Sequence, residues 1–230
     1  MKKMLLILGG LAVLAIIGVA IFEYAVKPSV PPAMTASAPA PAPAASPVST
    51  AMAALATRPS DVVMGSPEAQ VTIIEYASLT CPHCAAFHNG TLPAIKEQFV
   101  DKGTVKLLFR DFPFDGLALR AAMLPHCVGP ERYYGLLGTL FARQEQWRSN
   151  PDPLNALAAI ARQAGMDDEA FKACLANKAI EDKVLQSRLE GEKTLGVNST
   201  PTLFINGQKY NGVLTIEQMR GVLEPLIAGR

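Results

Sequence analysis

Apolar residues crowd together in Val71-Thr-Ile-Ile-Glu-Tyr-Ala77, a run rich in β-branched side chains. Such a run predicts a strand buried on both faces of a sheet. Downstream, Phe87, Leu92, Ile95 and Phe99 fall at helical spacing, while Gly90 and Pro93 interrupt them and predict a kink. Gly103 closes that helix, and Val105-Lys-Leu-Leu-Phe109 reads as a second strand. Strand, helix and strand within about forty residues describe a βαβ unit. A short edge strand at Val62–Met64 and a turn at Gly65-Ser66-Pro67 are expected just before it.

From Leu117 to Thr194 the spacing becomes helical. The predicted segments are Leu117–Leu124, Glu131–Arg143, Pro153–Ala164, Glu169–Ala176 and Ala179–Leu195, punctuated by Pro125, Gly129-Pro130, Pro151 with Pro153, and Gly165. A helical block between strands reads as an insertion, over roughly residues 115–195, into an α/β fold. After Gly196 the strand pattern returns, with an Asn206-Gly207 turn of the favoured two-residue hairpin type between two short strands. Thr215 then reads as the N-cap of a last helix through Ile227, with Ile216, Met219, Val222, Leu223 and Leu226 on one face.

The first sixty residues follow neither pattern. Met4 to Phe22 is an uncharged, mostly apolar run of 19 residues behind Lys2 and Lys3, long enough to cross a bilayer and oriented with a cytoplasmic N-terminus. It reads as a transmembrane anchor over residues 1–26. The alternative is a cleaved signal sequence, for which Ala36-Ser37-Ala38 offers the small-residue pattern, with Pro39 awkwardly after the cut. Between Pro28 and Thr50, twenty of 23 residues are Pro, Ala, Ser or Thr, a composition that buries too little apolar surface to fold. Residues 27–60 are therefore expected to be an extended linker, and residues 61–230 one folded domain. No dedicated dimerisation domain is evident, so a monomer is expected.

Formal charge is +1, from 21 basic and 20 acidic residues, which gives no sign of a nucleic-acid surface. The four cysteines carry the candidate chemistry. Cys81 and Cys84, two residues apart where the first strand turns into a helix, are close enough for a small disulfide ring. The unpaired N–H groups and dipole of the helix start favour a thiolate on Cys81. Pro82 suits the first helical position, where a missing N–H costs little. A protonated His83 would add a positive charge beside the sulfur. A more stable thiolate makes the matching disulfide more oxidising. Cys127 and Cys174 are expected to form a structural disulfide closing a loop of roughly 48 residues, worth about 4 kcal/mol by the loop-closure argument. The alternative is a pair of buried thiols packed as small hydrophobes. A bonded pair fits an oxidising compartment. Thr200-Pro201 stands at a strand entry and could be cis, although an ordinary trans bond is the commoner case.

The strand, Cys81-Pro82-His83-Cys84 at a helix start, the helical insertion, and then Gly196-Val-x-x-Thr-Pro-Thr-x-Phe-x-Asn-Gly207 together resemble the DsbA-like thiol:disulfide oxidoreductases of the thioredoxin superfamily. The resemblance covers about residues 61–230. It implies a thioredoxin fold with an inserted helical domain, and a cis Pro201 beside Cys81 and Cys84 with Thr200 lining a substrate groove. It implies a periplasmic enzyme that donates its disulfide to exported cysteine-containing proteins and is recharged by a DsbB-like quinone-linked membrane oxidase. No cofactor beyond the redox-active disulfide is implied. Glu75, six residues before Cys81, matches the family's buried acid, placed to assist proton transfer at Cys84; the competing reading is a solvent-facing strand carboxylate. The Cys127 and Cys174 pair resembles an alphaproteobacterial-type subgroup with a second bridge, and the N-terminal anchor departs from soluble members. Threonine at 200 is shared with isomerase-type relatives, so a disulfide isomerase or thiol reductase stays open.

A metal site is the competing chemistry, with Cys81, Cys84 and His88 as ligands and His126 as a fourth, but no second tight ligand pair accompanies them. His88 and His126 otherwise read as surface or helix-packing residues. Trp147 and Tyr133-Tyr134 read as helix packing, and Phe112-Pro-Phe114 as a bridge between sheet and insertion.

Overall fold

A computed structural model of the protein describes residues 47–229. The strand expected at Val71–Ala77 forms as β2 and occupies the centre of a five-stranded sheet of order β1-β3-β2-β4-β5. Its neighbours are β3 (Val105–Asp111), parallel to it, and β4 (Thr202–Ile205), antiparallel. β1 (Val63–Met64) and β5 (Gln208–Asn211) are the edges. Being central explains the lack of polar relief in β2. Val71 and Ile73 pack on one face with Phe87, Ile95, Met219 and Leu223, while Ile74 and Tyr76 pack on the other with Phe112 and Val197. Each such buried aliphatic side chain stabilises the fold by about 2 kcal/mol. Because side chains alternate across a strand, Glu75 shares the face of Ile73.

The short edge strand and the hairpin follow the sequence reading. Asn206 and Gly207 both take positive φ, 45° and 87°, as the two-residue hairpin requires. Thr215 caps the last helix, and its hydroxyl accepts from Gln218 N–H while the Gln218 side chain accepts from Thr215 N–H.

After β2 the chain enters α2 (Pro82–Ala86), which runs through a π-helical stretch (Phe87–Thr91) into α3 (Leu92–Ile95) and a second π-helical stretch (Lys96–Val100). The interruption expected at Gly90 and Pro93 thus takes the form of wider turns within one continuous rod. The insertion holds α4 (Gly116–Cys127), α5 (Pro130–Ala142), α6 (Gln144–Arg148), α7 (Pro153–Gln163), α8 (Asp168–Ala176) and α9 (Lys178–Leu195), and α10 (Ile216–Ile227) closes the chain. Pro125, expected to end a helix, lies inside α4, and α6 was not anticipated. α9 lies close on the sheet at Gly191, where a Cβ would stand 2.8 Å from the Tyr76 ring. Phe112 is buried beside this contact and Phe114 is exposed, so the Phe-Pro-Phe segment does join sheet to insertion.

The expectation of a structureless linker through residue 60 is corrected for residues 47–60. Pro47–Ala54 forms α1, and Ala54 is buried. The cause is Arg110, a buried cation in the middle of the fold. Its guanidinium donates to the Ala54 carbonyl, to the Ala56 carbonyl at 2.8 Å, to the Tyr76 hydroxyl at 3.3 Å and to the Asp61 carboxylate at 3.0 Å. A buried charge needs such partners, and residues 54–61 supply them. Met4–Phe22 lies outside the described residues; among those described, no helix is long and apolar enough to cross a membrane.

Candidate redox-active site

Cys81 ends the segment leaving β2 and occupies the N-cap position of α2, with extended backbone (φ −80°, ψ 119°). Pro82 fills the first helical position, as the sequence implied. Two anchors fix this entry. The buried Gln144 amide, from α6, donates to the Leu79 carbonyl at 2.8 Å and to the Cys81 carbonyl at 2.9 Å. The Thr80 hydroxyl donates to the Asp115 carboxylate at 2.9 Å. Trp147, fully buried on the same short helix, donates its indole N–H to the Leu140 carbonyl, which holds α6 against α5.

Cys81 and Cys84 are both thiols in this structure, and their environments differ. Cys81 is 6% exposed and Cys84 fully buried. The pKa of Cys81 falls from the ordinary 9.0 to about 5, first because the Cys84 thiol donates to its sulfur. The Thr200 side chain and the Cys84 and His83 backbone N–H groups add to the effect, against the opposing cost of burial. Cys84 moves the other way, well above its ordinary value, through burial, the same sulfur–sulfur hydrogen bond and the nearby Glu75 carboxylate. His83 is exposed, and the contribution it makes to the thiolate here comes from its backbone.

The Thr200-Pro201 bond is cis, as the resemblance implied. The Thr200 carbonyl lies 3.4 Å from the Cys81 sulfur and accepts from its thiol. Thr200 is 7% exposed, and its buried hydroxyl has no hydrogen-bond partner. Pro201 is buried in the same loop. Cys81, Cys84, Thr200 and Pro201 thus converge, although 119 residues separate Cys81 from Thr200.

Glu75 is fully buried, which overturns the solvent-facing reading. Its Oε2 lies 2.9 Å from His88 Nε2, and its Oε1 has no hydrogen-bond partner. His88 is 8% exposed and stacks on Phe141 at 3.9 Å between ring centroids. The surface reading of His88 is therefore corrected; His126 is half-buried, with its Nε2 2.8 Å from the buried Asp111 carboxylate. With each imidazole committed to a carboxylate, the proposed metal set does not assemble. Among the described residues no group of His, Cys, Asp and Glu side chains is placed to hold a metal. One signal for His88 was legible: it stands four residues after Cys84, on the same helix face, across from the inward-facing Glu75. Gln144 carried no comparable signal, because its partners are backbone carbonyls more than sixty residues away.

Cys127 and Cys174 are bonded, with Cα atoms 6.0 Å apart, so the reading of two reduced thiols does not hold. The bridge ties the end of α4 to α8.

Comparison with known proteins agrees with this geometry. A family model described as thioredoxin matches residues 57–225. The crystal structure of Wolbachia pipientis alpha-DsbA1 superposes with a TM-score of 0.72 at 33% identity, covering 76% of this chain and 94% of that one. The chain belongs to the DsbA-like proteins of the thioredoxin superfamily. Disulfide bond formation protein D of Bacillus subtilis is 26% identical to this DsbA-like chain over 175 residues, 73% of the chain and 78% of the relative. A Rickettsia typhi protein named for protein-disulfide oxidoreductase activity is 28% identical over 149 residues, but the match spans only 55% of that relative's length.

Proposed function

We propose that the protein is a thiol:disulfide oxidoreductase that donates a Cys81–Cys84 disulfide to exported cysteine-containing proteins through a mixed disulfide. The observation that carries this reading is the split between the two sulfurs, one held easily as an anion and the other held as a thiol. A substrate thiolate attacks Cys81 in the oxidised protein, and Cys84 leaves and takes up a proton. The substrate's second thiolate then attacks its own bonded sulfur, and Cys81 leaves as a thiolate. Two electrons pass from the substrate dithiol to the protein disulfide. The low pKa of Cys81 makes it a good leaving group in that last step.

Each site residue has a role in this scheme. Thr200 and Pro201 flank Cys81 and line the surface that a substrate backbone approaches. Pro82 and His83 form the first turn that receives the thiolate, and His83 contributes its backbone N–H. Glu75 receives and returns the proton of Cys84. The Cys127–Cys174 bridge is structural, which favours an oxidising location such as the periplasm. The lysine-preceded apolar run at Met4–Phe22 favours tethering to the inner membrane. Reoxidation by a DsbB-like quinone-linked membrane enzyme completes the cycle, with the protein acting as a monomer and with no cofactor besides the redox-active disulfide.

The test is a single-turnover reaction of the oxidised protein with a dithiol peptide, alongside refolding of a scrambled disulfide substrate. Stoichiometric oxidation of the peptide is expected. Efficient rescue of the scrambled substrate without net peptide oxidation would instead identify an isomerase.

A further inference from the structure

We propose that His88 is the proton port of the buried redox site, passing protons between solvent and Glu75, and through Glu75 to Cys84. The inference rests on the role given above to Glu75 and extends it to the question of how a fully buried acid exchanges protons with water. Cys84 is sealed from solvent, and so is Glu75. His88 is the residue that joins them to an opening. Its Nε2 meets Glu75 Oε2 at 2.9 Å, and His88 also lines a cavity of about 190 Å³ together with Met64, Leu92, Pro93, Lys96, Tyr134 and Gly138. Pro93 and Lys96 are exposed, so the cavity lies at the surface.

The surroundings leave His88 as the carrier. Around the ring, Phe87, Phe109 and Phe141 are apolar. The Tyr134 hydroxyl is committed to the Val62 carbonyl at 2.7 Å and the Leu107 carbonyl at 3.0 Å, and also accepts from Phe109 N–H. Burial raises its pKa well above the ordinary 10.0, so it stays neutral. The Lys96 ammonium is held by Asp101. A π-helical stretch carries His88, and such local widenings recur where a side chain must be re-aimed for a function.

The step balances without electrons crossing the port. When Cys84 leaves the disulfide as a thiolate, it takes a proton from the Glu75 carboxyl. Glu75 regains one from His88 Nε2–H, and the imidazole is recharged at Nδ1 by water in the cavity. When Cys84 resolves a mixed disulfide, the proton travels the reverse way.

The test uses the full-length chain, reduced and mixed with excess glutathione disulfide, with acid-quenched samples analysed by mass for loss of the Cys81–glutathione mixed disulfide. That loss requires Cys84 to shed its proton. In His88→Ala the resolution rate is expected to fall by about 100-fold, the lower end for a lost proton-transfer group. Added imidazole restores it, whereas pyrazole, which has the same shape but is a far weaker base, does not. Gly138→Leu supplies a second variant: a Cβ there meets nothing within 4 Å, so the new side chain can fill the cavity without touching Glu75. It is expected to slow resolution without rescue by imidazole. Wild-type rates in both variants, or equal rescue by pyrazole and imidazole, would overturn the port. Glu75→Gln separates the two claims. If it slows resolution while His88→Ala and Gly138→Leu do not, only the port fails; if it too resolves at the wild-type rate, the role of Glu75 fails with it.

Discussion

The molecule contains two cysteine pairs, each with a histidine–carboxylate pair nearby, and they are built to opposite ends. At Cys81 and Cys84 the sulfurs sit within one helical turn, and the first faces backbone N–H groups and a thiol that favour its anion. Glu75, whose carboxylate acts on the second sulfur, is paired with His88, which lines a cavity at the surface. Cys127 and Cys174, 47 residues apart on two helices, are bonded, and His126, the residue before Cys127, is paired with Asp111. The difference teaches that a disulfide's chemistry follows from what would receive its sulfurs once the bond opens. In the first pair the open form is provided for. In the second, the bond holds two helices.

Substitution should break this comparison most sharply in exchange activity. Cys81→Ser is expected to abolish peptide oxidation, because no Cys81–Cys84 disulfide can form to take the substrate's two electrons, while a Cys127→Ser/Cys174→Ser double variant keeps it; a peptide-oxidation assay on both decides. The next largest effect is on stability against pH. A Cys81 pKa depressed from 9.0 to about 5 stabilises the reduced fold fully above about pH 9, and that contribution is lost as pH falls through about 5. Within that window the reduced protein should gain about 1.4 kcal/mol over the oxidised protein per pH unit. Denaturant unfolding of both forms across the range measures it, and parallel curves would contradict it.

Removing the second bridge sharpens the comparison from the other side. The Cys127→Ser/Cys174→Ser variant should lose about 4 kcal/mol of unfolding free energy, set by the loop it closed, while the Cys81 titration stays where it was. A smaller effect tests the scaffold common to both pairs. Gly191→Ala places a Cβ against the Tyr76 ring and should cost about 1–3 kcal/mol as α9 is pushed from the sheet, measured by thermal or denaturant unfolding.

Much of this arrangement was legible in the sequence where local signals are strong. The apolar run of β2, the Asn206-Gly207 turn and the Thr215 cap are all decided by residues within one or two turns of each other, and each formed as expected. The Cys81-Pro82-His83-Cys84 motif and Thr200-Pro201 were legible as motifs, and the resemblance brought them together before any coordinates did. What escaped depends on partners distant in the chain. Arg110 turns an expected linker into helix α1 and a clasp by demanding acceptors for a buried charge, and its burial could not be read from β3 alone. Gln144 holds the Cys81 entry from a five-residue helix too short to show a periodicity. Pro125 was read as a helix end, yet α4 continues through it. His88 and His126 were read by residue type as surface or packing groups, and only the fold shows each committed to a buried carboxylate.

The account rests on Cys81 being an anion at neutral pH. Ultraviolet thiolate absorbance of the reduced full-length protein, titrated against pH with a Cys84→Ser control for assignment, measures this directly. A first transition with a midpoint of about 5, with no second thiolate appearing below pH 9, is the predicted result. A single transition near the ordinary cysteine value of 9.0 would contradict it.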